Sequence, residues 1–363
     1  MNDFLALQSQ LESQTVQGRY INYDSISTIL ELFDTHVVGK SVAQRSIHAV
    51  DLGNGPIKIL IWSQMHGNES TSTKALLDAL CYLIQNPSLL DRFTLKIIPI
   101  LNPDGAVAYT RTNSNGVDLN RDAINQTQPE AKLLVDVYRD FKADYCFNLH
   151  DQRTIFGVHG HPCMLSFLSP AANEEKTSTP ARNTAMGVIG YIQHALQEHI
   201  PNQVGRYDDS FNPNCMGDYF MQQETPTLLF EAGQVGQDYA RSETRKWYGF
   251  SILKALECIS FDAFNTRIYH TIPEVEKSFV DVLIRNLSYK DQVIDVALQF
   301  VEVLEENKIQ FVPIVHKMGK LDMLVGHQSV DVFGKNFVFS DEIQVDKNAV
   351  WLSDMLNLAQ YSH

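Results

Sequence analysis

Residues 59–70 read ILIWSQMHGNES, an apolar run followed by a histidine and a glutamate three residues apart. The run 59–62 has the composition of a buried strand. His66 and Glu69 therefore follow directly after a predicted buried strand, where burying either side chain without a partner is costly. We expect a partner from elsewhere in the chain to complete this pair, and a metal ion is one candidate.

Short apolar runs alternate with longer segments of helical period over most of the chain, a pattern typical of an α/β fold. The clearest strands are predicted at residues 57–63, 95–101, 145–149 and 227–230, and the clearest helices at 72–85, 130–141, 181–198 and 242–259. We predict a mixed, mostly parallel central sheet flanked by helices. Ser72 is the predicted cap of the first of these helices.

Each chemically suggestive stretch follows one of the four predicted strands. His66 and Glu69 follow the first, NPDG at residues 102–105 follows the second, His150 follows the third and Glu231 the fourth. Open α/β sheets bind ligands at the carboxyl ends of their strands. The sequence therefore predicts a single site at this edge of the sheet.

The pattern changes after about residue 262. Residues 291–306 are predicted to form one amphipathic helix. Strand character returns in three short segments, residues 309–315, 330–339 and 350–352. We therefore divide the chain into a larger domain, 1–262, and a small α+β domain, 263–363. The small domain resembles no family we can name, and its expected role is to cover the cleft, mediate oligomerisation or restrict large substrates.

The composition is that of an ordinary globular protein, with 44% apolar and 20% charged residues in a chain of 363. A net charge of −14 argues against nucleic-acid binding, which needs a basic face. There is no run of 18 apolar residues and no basic start followed by an apolar segment. We expect a cytoplasmic protein with no membrane partner.

The five cysteines are scattered and odd in number, so neither a disulfide framework nor a cysteine-based zinc site is predicted. We expect them to be small buried hydrophobic residues. A catalytic zinc ion takes three nitrogen or oxygen ligands and keeps a fourth position open, and two histidines with a glutamate are one established set. His66, Glu69 and His150 supply that set, although H-x-x-E alone is a weak signal.

Further motifs strengthen this interpretation. They are N-P-D-G at residues 102–105, R-x-N-x-x-G-V-D-L-N-R at 111–121 and E-x-G at 231–233. Together with H-x-x-E and the strand-end His150, in this order over about residues 57–260, they resemble the zinc metallocarboxypeptidases, the carboxypeptidase A and B family. The nine-residue interval from Arg111 to Asn120 is shorter than in the digestive members and closer to the compact bacterial branch.

The resemblance implies that the domain 1–262 is a zinc carboxypeptidase-like catalytic domain with one zinc ion, held by His66, Glu69 and His150. It further implies that the chain is a metallopeptidase that hydrolyses the C-terminal peptide bond of peptides. Glu231 would be the general base for a metal-activated water. Arg111 would stabilise the oxyanion that develops in the transition state.

The same resemblance assigns the substrate contacts. Asn120 and Arg121 would hold the terminal carboxylate of the substrate, for which a guanidinium is the natural bidentate partner. Tyr207, which lies 24 residues before Glu231, is the best match for the tyrosine that closes over substrate. Asp118 would accept a hydrogen bond from the metal ligand His66.

Other polar residues near these motifs have structural or solvent-exposed alternatives. Asp151 would point to the opposite face of the strand from its neighbour His150 and is a poor partner for it. His159 and His161 could bind a second metal but are more often solvated. Asp104 and Gly105 are expected to form a structural turn, with direct substrate contact as the alternative. Asp208 and Asp209 are expected to be solvated, with repulsion of acidic substrates as the alternative.

Two other functions compete with the peptidase. The sequence HGNE is also found in the aspartoacylase and succinylglutamate desuccinylase relatives, which cleave N-acyl amino acids with the same metal set. A non-catalytic binding module is the third interpretation, but such a protein would be expected to lack a ligand or the base. In either enzyme the substrate is a peptide or a small amino-acid derivative with a free carboxylate. Homo-oligomerisation is an expectation that the sequence does not test.

Overall fold

In a computed structural model of the chain, residues 2–335, 337 and 342–356 are described. Within them the helices are α1 (Asn2–Gln14), α2 (Tyr23–Leu30), α3 (Thr71–Gln85), α4 (Pro103–Ala108), α5 (Pro129–Phe141), α6 (Pro180–Leu196), α7 (Met216–Gln222), α8 (Ser242–Phe261), α9 (Thr266–Tyr269) and α10 (Val350–Met355). Short 3-10 turns occupy Pro87–Leu90 and Leu119–Arg121. None of these helices is long and apolar enough to cross a membrane.

The strands of the first 250 residues are β1 (Asp34–Lys40), β2 (Ser46–Leu52), β3 (Ile57–Trp62), β4 (Phe93–Ile98), β5 (Tyr145–Asp151), β6 (Gly157–Val158), β7 (His161–Pro162), β8 (Leu165–Leu168), β9 (Val204–Arg206) and β10 (Thr227–Ala232). Eight of them form one sheet in the order β1-β2-β4-β3-β5-β10-β8-β9. The central strands β4, β3, β5 and β10 are parallel, whereas β2 and β8 join them antiparallel. The predicted mixed sheet is confirmed, and each predicted strand and helix before residue 262 is present with its ends shifted by at most three residues.

Both faces of the central strands β3, β5 and β10 are buried, which explains why they read as continuous apolar runs. Because side chains alternate along a strand, Ile59 and Ile61 of β3 pack on one face, beneath α1, α3, α6 and α8. Leu60 and Trp62 pack on the other face, against α5 and α7. The site motifs are thereby left at the strand ends, between the two helical layers.

The start of helix α3 is capped by a residue at the end of strand β5. The Asp151 carboxylate at the end of β5 accepts hydrogen bonds from the backbone N–H of Thr71 at 2.8 Å and of Ser72 at 2.9 Å. It satisfies two of the N–H groups that the first turn of a helix leaves free. The predicted Ser72 cap is wrong, because Ser72 lies inside the helix and the cap comes from a tertiary contact.

A second sheet follows, with the strands β11 (Phe279–Tyr289), β12 (Gln292–Glu305), β13 (Lys308–Gly319) and β14 (Val325–Asp331) in the order β13-β12-β11-β14. The helix predicted at 291–306 is wrong, since β12 occupies these residues. Two-residue turns with positive φ at residues 290–291 and 306–307 make β11, β12 and β13 consecutive hairpins. The β-branched residues of β12 favour this pairing, which periodicity alone did not reveal.

The end of the chain departs from the prediction in the same way. Residues 350–352, predicted as a strand, begin helix α10, because three apolar residues carry no period that distinguishes the two structures. Of the strand predicted at 330–339, β14 ends at Asp331, and residues 336 and 338–339 lie outside the described residues. The extra C-terminal sheet confirms a second unit, and the boundary at 262 stays a prediction.

Contacts with the first unit hold the second sheet in place. Arg19 donates to the Glu302 carboxylate on β12 at 3.1 and 3.2 Å, and the Tyr109 hydroxyl donates to the same group. Tyr109 and Tyr239 pack with Ile309 and Phe311 of β13. Strand β12 consequently runs beside the edge of the large sheet where the site motifs lie.

Candidate active site

The turn after β3 owes its shape to a close approach between two motifs. A Cβ atom on Gly67 would lie 1.9 Å from the carbonyl carbon of Gly105, so only glycine fits there. Asn102 fixes this approach, since its amide donates to the Met65 carbonyl at 3.2 Å and its oxygen accepts from the Gly105 N–H at 2.8 Å. The Asp104 carboxylate faces away and binds other groups, which agrees with the structural interpretation of NPDG.

His66, Glu69 and His150 converge in a buried cluster. The two oxygens of Glu69 lie 2.8 Å from Nδ1 of His66 and 2.8 Å from Nδ1 of His150. The two Nδ1 atoms are 3.2 Å apart, and the potential ligand atoms of all three residues lie within 4.8 Å of one another. The backbone N–H of Asp151 also donates to Glu69 at 3.1 Å and holds its carboxylate in place.

The chemistry of this cluster suits a divalent metal such as zinc. Although burial opposes ionisation of Glu69, His66 and His150 hold the pKa of its carboxyl well below the usual range. Burial lowers the pKa of His150, which favours the neutral imidazole that binds metals. Nε2 of His150 is buried without a hydrogen-bond partner. Two neutralisable imidazoles and an ionised carboxylate are an established zinc donor set, so the residues fit the ion.

Asp118 lies behind His66. Its Oδ1 atom is 3.0 Å from Nε2 of His66 and also accepts from the Asn120 N–H at 2.9 Å. Arg111 donates from Nε to the other oxygen of Asp118 at 3.1 Å and from Nη1 to Glu69 at 3.2 Å. Arg111 is half-exposed, so its guanidinium is fixed at the rim of the cluster by two carboxylates.

Glu231 lies on the strand next to His150. Strands β10 and β5 are paired in parallel with Glu231 directly opposite His150. The carboxyl group is buried, and its Oε2 atom has no hydrogen-bond partner. Burial raises the pKa of Glu231 well above the usual range, and the negative charges of Glu69 and Asp151 add to the effect. This carboxyl group therefore holds its proton to a higher pH than an exposed glutamate does.

A cavity of about 570 Å³ opens over this edge of the sheet. Of the nine residues that the sequence placed at the site, eight line it, namely His66, Glu69, Arg111, Asn120, Arg121, His150, Tyr207 and Glu231. The ninth, Asp118, is bonded to His66 from behind the cavity wall. The predicted residues are therefore brought together, although their separate roles stay predictions.

Asn120 and Arg121, two of the residues predicted to contact substrate, lie at the end of the cavity near the start of α7. The Asn120 oxygen accepts from the Met216 N–H at 3.0 Å, and Arg121 donates to the Asn120 carbonyl at 2.6 Å. Tyr207 follows β9 and packs against Phe156, with ring centroids 5.4 Å apart. Burial raises the pKa of the Tyr207 hydroxyl, which therefore stays protonated near neutral pH.

Sequence reasoning missed several cavity residues. Cys215, expected to be a buried hydrophobic residue, is half-buried and donates its thiol to the Asn120 oxygen at 3.2 Å. Asp218 lines the same end of the cavity, and burial raises the pKa of its carboxyl to about 7. Neither follows a predicted strand, so only the tertiary fold brings them to the site.

The other polar residues considered in the sequence analysis lie outside the metal-ligand cluster. His159 and His161 are exposed on the β6–β7 hairpin, and in the described part of the chain they join no group of three potential metal ligands. Asp209 was expected to be solvated, but it pairs with Lys176 at 2.6 Å and Arg182 at 2.6 Å. Asp151 binds the start of α3 and does not contact the His150 ring through its carboxylate, as expected.

Comparison with known proteins agrees with this geometry. The family model described as zinc carboxypeptidase matches residues 26–186. This part of the chain is similar to the zinc carboxypeptidases. The match includes His66, Glu69 and His150, and the predicted resemblance is confirmed. Carboxypeptidase D from Mus musculus and from Homo sapiens are each 30% identical over 148 aligned residues, which cover 34% of this chain. The alignments span only 10% of those proteins' length.

Solved structures show the same fold. A metallo-carboxypeptidase from Burkholderia cenocepacia superposes with a TM-score of 0.52 at 20% identity, over 65% of this chain and 68% of that one. Carboxypeptidase A from Helicoverpa armigera gives a TM-score of 0.52 at 17% identity, over 72% of this chain and 80% of that one. The domain therefore has the zinc carboxypeptidase fold, with a C-terminal sheet in addition.

Proposed function

We propose that the protein is a zinc-dependent carboxypeptidase that releases the C-terminal residue of peptides. One observation carries the proposal: the metal-ligand set His66, Glu69 and His150 shares a cavity with Glu231, which lies directly opposite His150 in the sheet. Zinc held by the three ligands would polarise the scissile carbonyl and lower the pKa of a bound water.

Glu231 is the proton carrier in this proposal. Its raised pKa makes the ionised carboxylate a stronger base than an exposed glutamate. It accepts a proton from the attacking water and returns it to the leaving amine. Arg111, tethered to Glu69 and Asp118, places a positive charge at the rim of the cluster where the oxyanion develops.

Asn120 and Arg121 define the exopeptidase. They lie together in one 3-10 turn and line the end of the cavity that also contains Cys215 and Asp218. A guanidinium and an amide together match the free carboxylate of a C-terminal residue. Tyr207 lines the same cavity, and in this proposal it covers the bound residue.

The family match favours a peptidase over the N-acyl amino acid deacylase. The presence of Glu231 beside the candidate ligands favours an enzyme over a binding module. The deciding experiment measures zinc content together with release of free amino acids from a peptide library and from a panel of N-acyl amino acids, with and without a chelator. C-terminal trimming that the chelator abolishes and added zinc restores is expected. Activity confined to the acyl amino acids would move the protein to the deacylases, and bound zinc without turnover on either panel would support a binding module.

The cellular location and oligomeric state stay predictions from the sequence. We propose a cytoplasmic enzyme acting on peptides, without a nucleic-acid or membrane partner. Fractionation of the native host and light scattering of the purified protein would test these two expectations.

A further inference from the structure

A second cavity of about 340 Å³ adjoins the first. Glu69, Arg111 and residues 151–153 line both cavities, so the two meet at the metal-ligand cluster. One wall of the second cavity belongs to the carboxypeptidase domain, and the other is formed by residues 299–302 of β12. The C-terminal sheet therefore completes a compartment that the first domain lacks on its own.

The second cavity has more basic than acidic side chains in its lining. Its lining contains four arginines, Arg19, Arg111, Arg153 and Arg241, against three carboxylates, Glu69, Asp151 and Glu302. Three of the arginines have acidic neighbours: Arg19 pairs with Glu302 at 3.1 Å, Arg111 pairs with Glu69 at 3.2 Å, and Arg241 lies 3.7 Å from Asp151. Arg153 has no acidic partner among the described residues, so its charge remains unpaired in this lining.

Arg153 offers free hydrogen-bond donors to this cavity. It is exposed on the border of the two cavities and has no hydrogen-bond or ion-pair partner among the residues that the structure describes. Its guanidinium can therefore donate to an anionic ligand without breaking an existing contact. The Nε atoms of Arg19 and Arg241 also lack a hydrogen-bond partner, but they are closed off from solvent, so Arg153 is the donor that a ligand reaches.

We propose that the second cavity binds a carboxylate carried by the part of the substrate N-terminal to the scissile bond, with Arg153 as its charged anchor. The inference rests on the proposed function for the direction of the substrate. Asn120 and Arg121 line only the first cavity, which receives the terminal residue. The rest of the substrate then leaves the bond past Glu69 and Arg111, where the second cavity opens.

Two substrate types carry a carboxylate at that position: a peptide with aspartate or glutamate before the released residue, and an N-acyl amino acid with a dicarboxylic acyl group. Arg153 recognises the carboxylate in both substrate types. Charge-assisted hydrogen bonds to an arginine fork are among the stronger polar contacts, so we expect about a tenfold effect on substrate selection.

The test compares kcat/KM for peptide pairs that differ only in glutamate or glutamine before the released residue. Wild type should prefer glutamate about tenfold, and Arg153→Gln should remove the preference while the glutamine peptide is hydrolysed as before. Arg153→Lys should keep part of the preference for glutamate, since the positive charge remains but the bidentate geometry of the guanidinium is lost. Lys277→Gln is the matched control, because Lys277 is exposed and lines only the first cavity. It should leave the ratio unchanged.

A parallel pair of N-succinyl and N-butyryl amino acids identifies the source of the carboxylate. Equal rates for glutamate and glutamine peptides together with equal rates for the acyl pair would overturn the proposal, as would a preference that survives in Arg153→Gln.

Calorimetric titration with glutarate separates this proposal from the proposed function. Wild type should bind glutarate about tenfold more tightly than Arg153→Gln does. Binding that depends on Arg153 without hydrolysis of any peptide would retain the anion site and reject the carboxypeptidase. Peptide trimming with no dependence on Arg153 in either assay would retain the carboxypeptidase and reject the anion site.

Discussion

Nε2 of His66 lies 3.0 Å from Oδ1 of Asp118, on the side of the ring opposite to the Nδ1 atom that faces Glu69. When the Nε2–H group donates to Asp118, the lone pair of Nδ1 is left free for a metal. Although burial opposes ionisation of Asp118, the hydrogen bond from His66 and the charge of Arg111 hold the pKa of its carboxyl well below the usual range. Asp118 therefore stays an ionised acceptor at physiological pH.

We predict that Asp118→Asn weakens zinc binding by about 10- to 100-fold, since outer carboxylates of this kind orient the ligand and raise its basicity. Competition with a fluorescent chelator measures the affinity. Asp322→Asn, on an exposed turn, is the control and should bind zinc as wild type does. An unchanged affinity in Asp118→Asn would exclude this role.

Glu231→Gln should retain zinc and lose about a thousandfold in kcat, because the amide cannot accept the proton of the attacking water. His66→Ala should lose both zinc and activity, since it removes a ligand. Zinc content by mass spectrometry and single-turnover kinetics distinguish the two variants. Normal turnover by Glu231→Gln would refute the mechanism.

Arg121→Gln should lower kcat/KM for peptides by roughly 10- to 100-fold through loss of the charge-assisted contact to the terminal carboxylate. Peptides ending in a carboxamide lack that carboxylate, so wild type and variant should cleave them equally slowly. Steady-state kinetics on matched acid and amide peptides measure the difference. A similar loss on both would mean that Arg121 acts through the local fold.

The ion pair between Asp78 of α3 and Arg245 of α8 should control stability. The two groups are bidentate at 2.6 and 2.7 Å, and both side chains are 1% exposed. Asp78→Asn should lower the free energy of unfolding by about 3–5 kcal/mol, because it leaves the Arg245 charge buried without its partner. The exposed pair Lys132–Asp136 on α5 is the comparison, and Asp136→Asn should cost less than about 1 kcal/mol. Urea denaturation measures both, and equal effects would contradict the expectation.

Asp281 of β11 should make stability depend on pH. Burial raises the pKa of its carboxyl to about 6, so the folded protein retains a proton that the unfolded chain releases above its ordinary pKa of 3.8. This contribution is present below pH 4 and is lost as the pH rises towards 6, by about 3 kcal/mol in total. Asp281→Asn removes it. The difference in unfolding free energy between wild type and variant, measured from pH 4 to 7, should change with this sign, and a constant difference would refute it.

Much of the site could be predicted from the sequence because its residues follow strands. His66, Glu69, His150 and Glu231 each come after an apolar run, and parallel strands bring such ends to one edge of a sheet. The motif of residues 111–121 could be recognised in the sequence because its spacing is that of a known family. Cys215 and Asp218 reach the cavity on α7, which no strand-end rule predicts.

By itself the sequence determined the α/β fold, the placement of the motifs at strand ends and the candidate metal-ligand set, since hydrophobic periodicity and local spacing are encoded over short stretches of chain. Only the tertiary structure decided that Asp151 caps α3, that residues 292–305 pair as a strand, and that β12 forms the wall of a second, arginine-rich cavity. The cap and the cavity wall depend on contacts between residues far apart in the chain. Strand β12 instead forms hairpins with its sequence neighbours, and the helical spacing of its apolar residues concealed them.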